Sequence, residues 1–287
     1  MDQASGLRGV SPFSQVKVVA VTGGKGGVGK TSVAVNLAVT MAMARKRVML
    51  LDADLGLANV DVLLGLQPNR HVGHLLEGRC ELADVILEGP HGLKVVPAAS
   101  GVRKMAELST AEHAGLIRAF CGFAEPLDMM IVDTAAGVSE SVTMYCAAST
   151  EVVVVVCDEP ASLTDAYALI KVLSREYAVQ RFRLVANRVP TVQHGRDLWQ
   201  KLVRVTDRFL DVTIDFAGAI PEDEFLKRAV RRQVAVVDAY PSSRSALGFK
   251  NLSQAADRWV DVPGNGGHLE FFTERRVTAA RVSEMRA

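Results

Sequence analysis

Thr22-Gly-Gly-Lys-Gly-Gly-Val-Gly-Lys-Thr-Ser32 joins an apolar run, Val16–Val21, to a segment with helical spacing, Ser32–Ala44. Within it, Gly24–Thr31 fits G-x-x-x-x-G-K-[ST], and the flanking strand and helix are the context this phosphate-binding loop requires. The glycines let successive backbone N–H groups turn inward around an anion, and the following helix adds its N-terminal donors and positive dipole end. Gly24, Lys25, Gly26, Gly27, Val28, Gly29, Lys30, Thr31 and Ser32 are therefore the candidate phosphate-binding residues. Lys30 is placed to bridge the outer phosphates, and Thr31 to offer its hydroxyl to Mg²⁺. Lys25, wedged between Gly24 and Gly26, is a second lysine that such a loop does not need.

A loop of this kind works with an acidic residue at the end of a neighbouring strand, which holds the magnesium shell. Asp133 closes the run Met129–Asp133 and is followed by Thr134-Ala-Ala-Gly137, residues small enough to turn close to a terminal phosphate. Asp52 closes Val48–Asp52 and opens Asp-Ala-Asp54. Thr31, Asp133 and Asp52 are the candidate metal-shell residues. Asp54 reads as the carboxylate that orients an attacking water, with Asp52 supporting it.

The rest of the chain repeats the same alternation. Strand-length apolar runs at Leu93–Val96, Val152–Cys157, Leu184–Asn187 and Val212–Phe216, the last extending to Pro221, are separated by helix-length segments at Thr110–Phe123, Ser139–Ser149, Ser162–Tyr177 and Pro241–Trp259. Runs apolar throughout mark parallel strands covered on both faces. The expected fold is α/β: a doubly wound, mostly parallel sheet with helices on both faces. Residues 15–260 form one domain in this reading. Residues 1–14 are an N-terminal segment, and residues 261–287 a Gly-rich connector with a charged helical tail.

The 287 residues are 49% hydrophobic and 23% charged with a net charge of +1, which leaves no global attraction to nucleic acid or anionic membrane. Cys80, Cys121, Cys146 and Cys157 lack metal or redox spacing and read as reduced thiols, and the histidines show no metal spacing. No run is long enough to span a membrane, and the N-terminus lacks signal-peptide character, so the chain reads as soluble and cytoplasmic.

Lys25-Gly-Gly-Val-Gly-Lys-Thr31 also resembles the deviant K-G-G-x-G-K-[ST] loop of the MinD/ParA-type ATPases. Asp52-Ala-Asp-Leu-Gly matches that family's D-x-D-x-G stretch, and Asp133–Gly137 its D-x-x-A-G, with Ala135 where many relatives carry proline. The resemblance covers about residues 16–250. It implies ATP and Mg²⁺ as ligands and a homodimer in which Lys25 reaches the partner's phosphates, making Lys25, Lys30 and Asp54 the catalytic set. It also implies that Asn187, Arg188, Pro221 and Glu222 lie in the segments that hold the adenine. Asp2-Gln-Ala-Ser-Gly-Leu-Arg8 and Ala161–Tyr167 resemble elements of the FlhG/FleN group of flagellar-number regulators. That similarity implies two partners, a FleQ-type AAA+ transcriptional activator and an FlhF-type GTPase met through Asp2–Arg8.

Two features keep more than one reading. Leu226–Gln233 is basic, but four positive charges on a helix read first as a solvated face, with direct DNA contact the lesser reading. The tail carries Leu269, Phe271 and Phe272, either packed on its own domain or offered to the inner membrane or cell pole, as in relatives. A MinD/ParA-like positioning or DNA-segregation ATPase is the alternative function. An iron–sulfur reductase would need cysteines near Asp133, and a tyrosine-kinase relative a Tyr-rich tail. Neither is present.

Overall fold

The computed structural model describes residues 16–98, 105, 107–259 and 269–272. The N-terminal segment, its Asp2–Arg8 element and most of the 261–287 tail lie outside the described residues. In chain order the strands are β1 (Lys17–Thr22), β2 (Val48–Ala53), β3 (Leu87–Glu88), β4 (Lys94–Val96), β5 (Met129–Thr134), β6 (Glu151–Val156), β7 (Arg181–Val189) and β8 (Thr213–Pro221). The helices are α1 (Lys30–Met43), α2 (Val60–Leu64), α3 (Val72–Leu76), α4 (Leu82–Val85), α5 (Thr110–Ala119), α6 (Glu140–Ala147), α7 (Pro160–Tyr177), α8 (Val192–Thr206), α9 (Glu224–Arg231), α10 (Val236–Ala239) and α11 (Arg244–Asp257).

All eight strands join one sheet in the order β3-β4-β2-β5-β1-β6-β7-β8, parallel except for the β3–β4 pair. From central β1 the chain winds outward to β2 and β4, returns to β5, then crosses to β6, β7 and β8. The order therefore reverses around β1, and the crevice beyond the C-terminal ends of β5, β1 and β6 is where such sheets bind ligands.

Alternate residues of each central strand serve opposite layers. Val19 and Val21, with Leu50, Ile131 and Val153, pack against α1 and α11, while Val18, Met49, Leu51, Met130 and Val132 face α5 and α6. Burial on both faces is why these runs are apolar without alternation. α1 is apolar nearly all round for the same reason, since it lies between the sheet and α11. Its buried Asn36 is satisfied twice: its Nδ2 donates to Ser32 O (2.8 Å), and its Oδ1 accepts from Val236 N–H (2.8 Å).

The structure differs from the sequence reading in several places. α2, α3, α4, α8, α10 and β3 were not expected. β6 begins at Glu151, a charged residue buried because Arg183 of neighbouring β7 pairs with it at 2.9 Å. Residues 269–272 contain a turn and no helix, and Phe271 and Phe272 are buried against Phe120 (ring centroids 5.5 and 6.2 Å). Of the two readings of the tail, packing on its own domain holds for this part.

Candidate functional site

The loop between β1 and α1 lies in the crevice at the order reversal. Two glycines in it are required by geometry. Gly29 caps α1 with φ +94°, a left-handed backbone, and a Cβ there would strike the side-chain amide of Asn187. A Cβ on Gly24 would collide with the backbone carbonyl of Asp165, because α7 packs directly against the loop. The first turn of α1 contains no acidic side chain, so nothing in it opposes an anion at the helix N-terminus.

Lys30, the first residue of α1, is buried, with its Nζ 3.5 Å from the Lys25 carbonyl oxygen. Burial lowers its pKa, and the charges of Asp133 and Asp54 act the other way. The Thr31 side chain favours the charged form of the Asp133 carboxyl, which is fully buried. β2 and β5 pair in register so that Asp52 sits directly beside Asp133. Burial, and then the neighbouring carboxylate, raise the Asp133 pKa well above the usual range, and burial likewise raises that of Asp52. Two carboxyls side by side in a dry site repel one another when both are charged.

Asp52 has a more definite task than the sequence suggested. Its Oδ1 accepts from Asp54 N–H (3.1 Å), and its Oδ2 from Asn59 N–H (2.9 Å) and Val60 N–H (3.1 Å). It thereby fixes the turn carrying Asp54 and caps α2. Asp54 itself is half-buried and accepts from Leu57 N–H at 3.3 Å. Burial raises its pKa, while the Leu57 hydrogen bond and Lys30 lower it.

Three buried polar atoms find no partner among the described residues: Thr22 Oγ1, Asp133 Oδ1 and Asn187 Oδ1. They belong to the ends of β1, β5 and β7, where a bound ion, water or ligand can satisfy them. Asp133 Oδ1 beside the Thr31 hydroxyl suits a hard, oxygen-seeking cation. Among the described residues no group of three His, Cys, Asp or Glu side chains would enclose a metal. That donor set therefore suits a Mg²⁺ that draws its remaining ligands from phosphate and water. The Asn187 amide donates to Val28 O (2.8 Å), tying β7 to the phosphate loop and leaving its oxygen available.

The remaining candidates sit at the C-terminal ends of β7 and β8. Arg188 adopts φ +55° at the end of β7; Pro221 is buried, and Glu222 N–H donates to Val189 O at 3.0 Å. The Asp133 loop is stiffened by hydrogen bonds. Thr134 Oγ1 donates to Val21 O and Ala135 O (both 3.2 Å), and Gly137 N–H donates to Gly23 O (3.1 Å).

Within its own protomer, Lys25 is paired: its Nζ lies 2.6 Å from Glu159 Oε2, and Arg188 Nη2 approaches the other oxygen at 3.8 Å. The hydrogen bond, and then the opposite charge, raise the Lys25 pKa and lower that of Glu159. Glu159 was missed in the sequence; its only local sign is an acidic residue just before Pro160, at the start of α7.

The basic segment is also less free than its composition suggests. Lys227 pairs with Glu222 (3.3 Å) and Glu224 (2.7 Å), and Arg228 and Arg232 lie over the rings of Phe225 and Tyr240.

Comparison with known proteins gives a consistent answer. The family described as the CobQ/CobB/MinD/ParA nucleotide binding domain matches residues 19–236. The chain is 57% identical over 271 residues to the antiactivator FleN of Pseudomonas aeruginosa, covering 94% of this chain and 97% of that protein. It is 32% identical to the flagellum site-determining protein YlxH of Helicobacter pylori, covering 90% and 89%. Among solved structures, the cell division ATPase MinD of Pyrococcus furiosus superposes with a TM-score of 0.72 at 21% identity, covering 86% of this chain and 100% of that one.

Proposed function

The chain belongs to the CobQ/CobB/MinD/ParA family of nucleotide-binding proteins, and from that premise we propose that it is a cytoplasmic, Mg²⁺-dependent ATPase that regulates flagellar number by restraining a transcriptional activator. The observation that carries the reading is the partnerless Asp133 Oδ1 beside Thr31, Lys30 and the glycine cradle. The likeness to an antiactivator over nearly the whole chain supplies the regulatory direction.

Each residue has a physical task. The Gly24–Thr31 backbone and the α1 N-terminus bind the phosphates, and Lys30 bridges the outer two. The Thr31 hydroxyl and the Asp133 carboxyl would hold Mg²⁺, which would supply charge neutralisation at the outer phosphates. Asp54, fixed by the Asp52 clamp, orients the water that attacks the terminal phosphate, giving ADP and phosphate. Asn187 Oδ1 suits the exocyclic amine of adenine, and Arg188, Pro221 and Glu222 line the same end.

ATP favours a homodimer in this account because each copy's Lys25 completes the other's phosphate site, and hydrolysis removes that contact. The γ-phosphate thus supplies the differential affinity that moves the population between monomer and dimer. A FleQ-type AAA+ activator then binds one state better than the other. Lys25→Ala is expected to keep ATP binding close to wild type and to lose the dimer seen by light scattering with a non-hydrolysable ATP analogue. A Lys25→Ala protein that dimerises normally would remove the trans role.

An FlhF-type GTPase is the second proposed partner, met through Asp2–Arg8. Deleting residues 1–10 is expected to leave ATP turnover unchanged and to abolish any stimulation of that GTPase; persistent stimulation rules the segment out. The alternative, a positioning or DNA-segregation ATPase, gains no support from the 226–233 segment, where Lys227, Arg228 and Arg232 are engaged within the chain. Burial of Phe271 and Phe272 gives the membrane reading no support within the described residues.

A further inference from the structure

We propose that Glu159 is a positioning residue for Lys25: it holds the lysine on its own protomer until a second, ATP-loaded copy draws the ammonium away, and so sets how readily the dimer forms. This deepens the reading above and rests on the ATP-dependent dimer it contains.

The Glu159 side chain is directed away from its own helix. It is the N-cap residue of α7, where an acceptor side chain ordinarily bonds the first free N–H groups of its own helix. Glu159 makes no such cap. Its carboxylate turns instead to the phosphate loop, with Lys25 Nζ at 2.6 Å, although the two residues are 134 positions apart. Lys25 is held where Gly24 packs against α7, so the loop and the helix carrying its counterion are already in contact.

In the proposed dimer the same ammonium serves a triphosphate on the other copy. A carboxylate 2.6 Å from that ammonium would face the incoming phosphates, and like charges at close range repel. Lys25 must leave Glu159, or Glu159 must swing aside. Arg188 offers the carboxylate a place to go, since its guanidinium already lies 3.8 Å from the second oxygen. Glu159 thus stands between the lysine that reaches across and the arginine at the adenine end, and it is shared by both.

The pair is exposed, with 39% and 47% of the two side chains accessible, so it biases the equilibrium and does not block it. Both copies carry it, which doubles its weight in a dimer.

The test measures the dimer dissociation constant by sedimentation in a non-hydrolysable ATP analogue with Mg²⁺. It uses the full chain as wild type, Glu159→Gln and Glu159→Asp. Glu159→Gln should dimerise about three- to tenfold more tightly at low salt, the range that two exposed ion pairs allow. Glu159→Asp, which keeps the carboxylate, should stay within about twofold of wild type, and the gap between wild type and Glu159→Gln should shrink as salt screens the pair. A purely structural cap would instead give a weaker dimer in both variants. A Glu159→Gln protein that dimerises like wild type or more weakly overturns the inference alone. A wild type that stays monomeric overturns the dimer reading, and this inference falls with it.

Discussion

Lys30→Ala is expected to lower ATP affinity by about two to three orders of magnitude, the scale for removing one partner of a desolvated charge pair. Lys30 is buried at the head of α1, where its ammonium lies within the field of both Asp133 and Asp54. Without it, the phosphates would meet a buried carboxyl pair with no cation of the protein between them. The remaining backbone donors bind anions but cannot offset that repulsion. The measurement is a calorimetric titration with ATP and Mg²⁺, alongside a thermal melt showing that the variant remains folded. Binding within about threefold of wild type would show that Lys30 does not face the phosphates.

Asp54→Ala is expected to separate binding from turnover. Losing the group that orients the attacking water costs about 10²–10⁴-fold in rate, while the Gly24–Thr31 cradle and Lys25 stay in place. Phosphate release should therefore fall by that factor, and the ATP-bound dimer should persist after wild type has returned to monomer. The half-buried carboxyl, its pKa raised by burial but restrained by Leu57 N–H and Lys30, is suited to accept from a water at neutral pH. Wild-type turnover in Asp54→Ala would exclude the residue from the mechanism.

Much of this architecture could be read from residue order because its causes are local. Val16–Val21, Val48–Asp52 and Met129–Asp133 announce central strands, since a strand covered on both faces has no polar side to show. The phosphate loop is contiguous, so its glycines and Lys30-Thr31 identify themselves. What escaped depends on distance. Leu87–Glu88 is too short to display a period. α8 did carry a legible signal, with Leu198 and Leu202 buried at helical spacing behind the Thr191 cap, but its polar remainder masks it. Glu151 looks wrong for a strand until β7 brings Arg183 beside it. Within the site, a strand-end Asp suggested a metal ligand at Asp52, whereas the backbone donors that occupy it exist only once the turn has formed. Glu159 reaches Lys25 only because the β6–α7 connection folds over the loop, and the burial of Phe271 and Phe272 follows from the groove around Phe120 and Tyr145.

The tight seating of Gly24 on Asp165 limits how the second lysine can travel. With α7 as a wall behind it, the peptide unit before Lys25 has nowhere to swing, and any movement of the ammonium must come from rotation about the bonds of its own side chain. A lysine stem then works as a fixed-length gauge: two copies engage only when their surfaces approach to within that span. Arginine at the same position would carry the charge on a longer, planar, forked head, and the two surfaces would meet at a different separation.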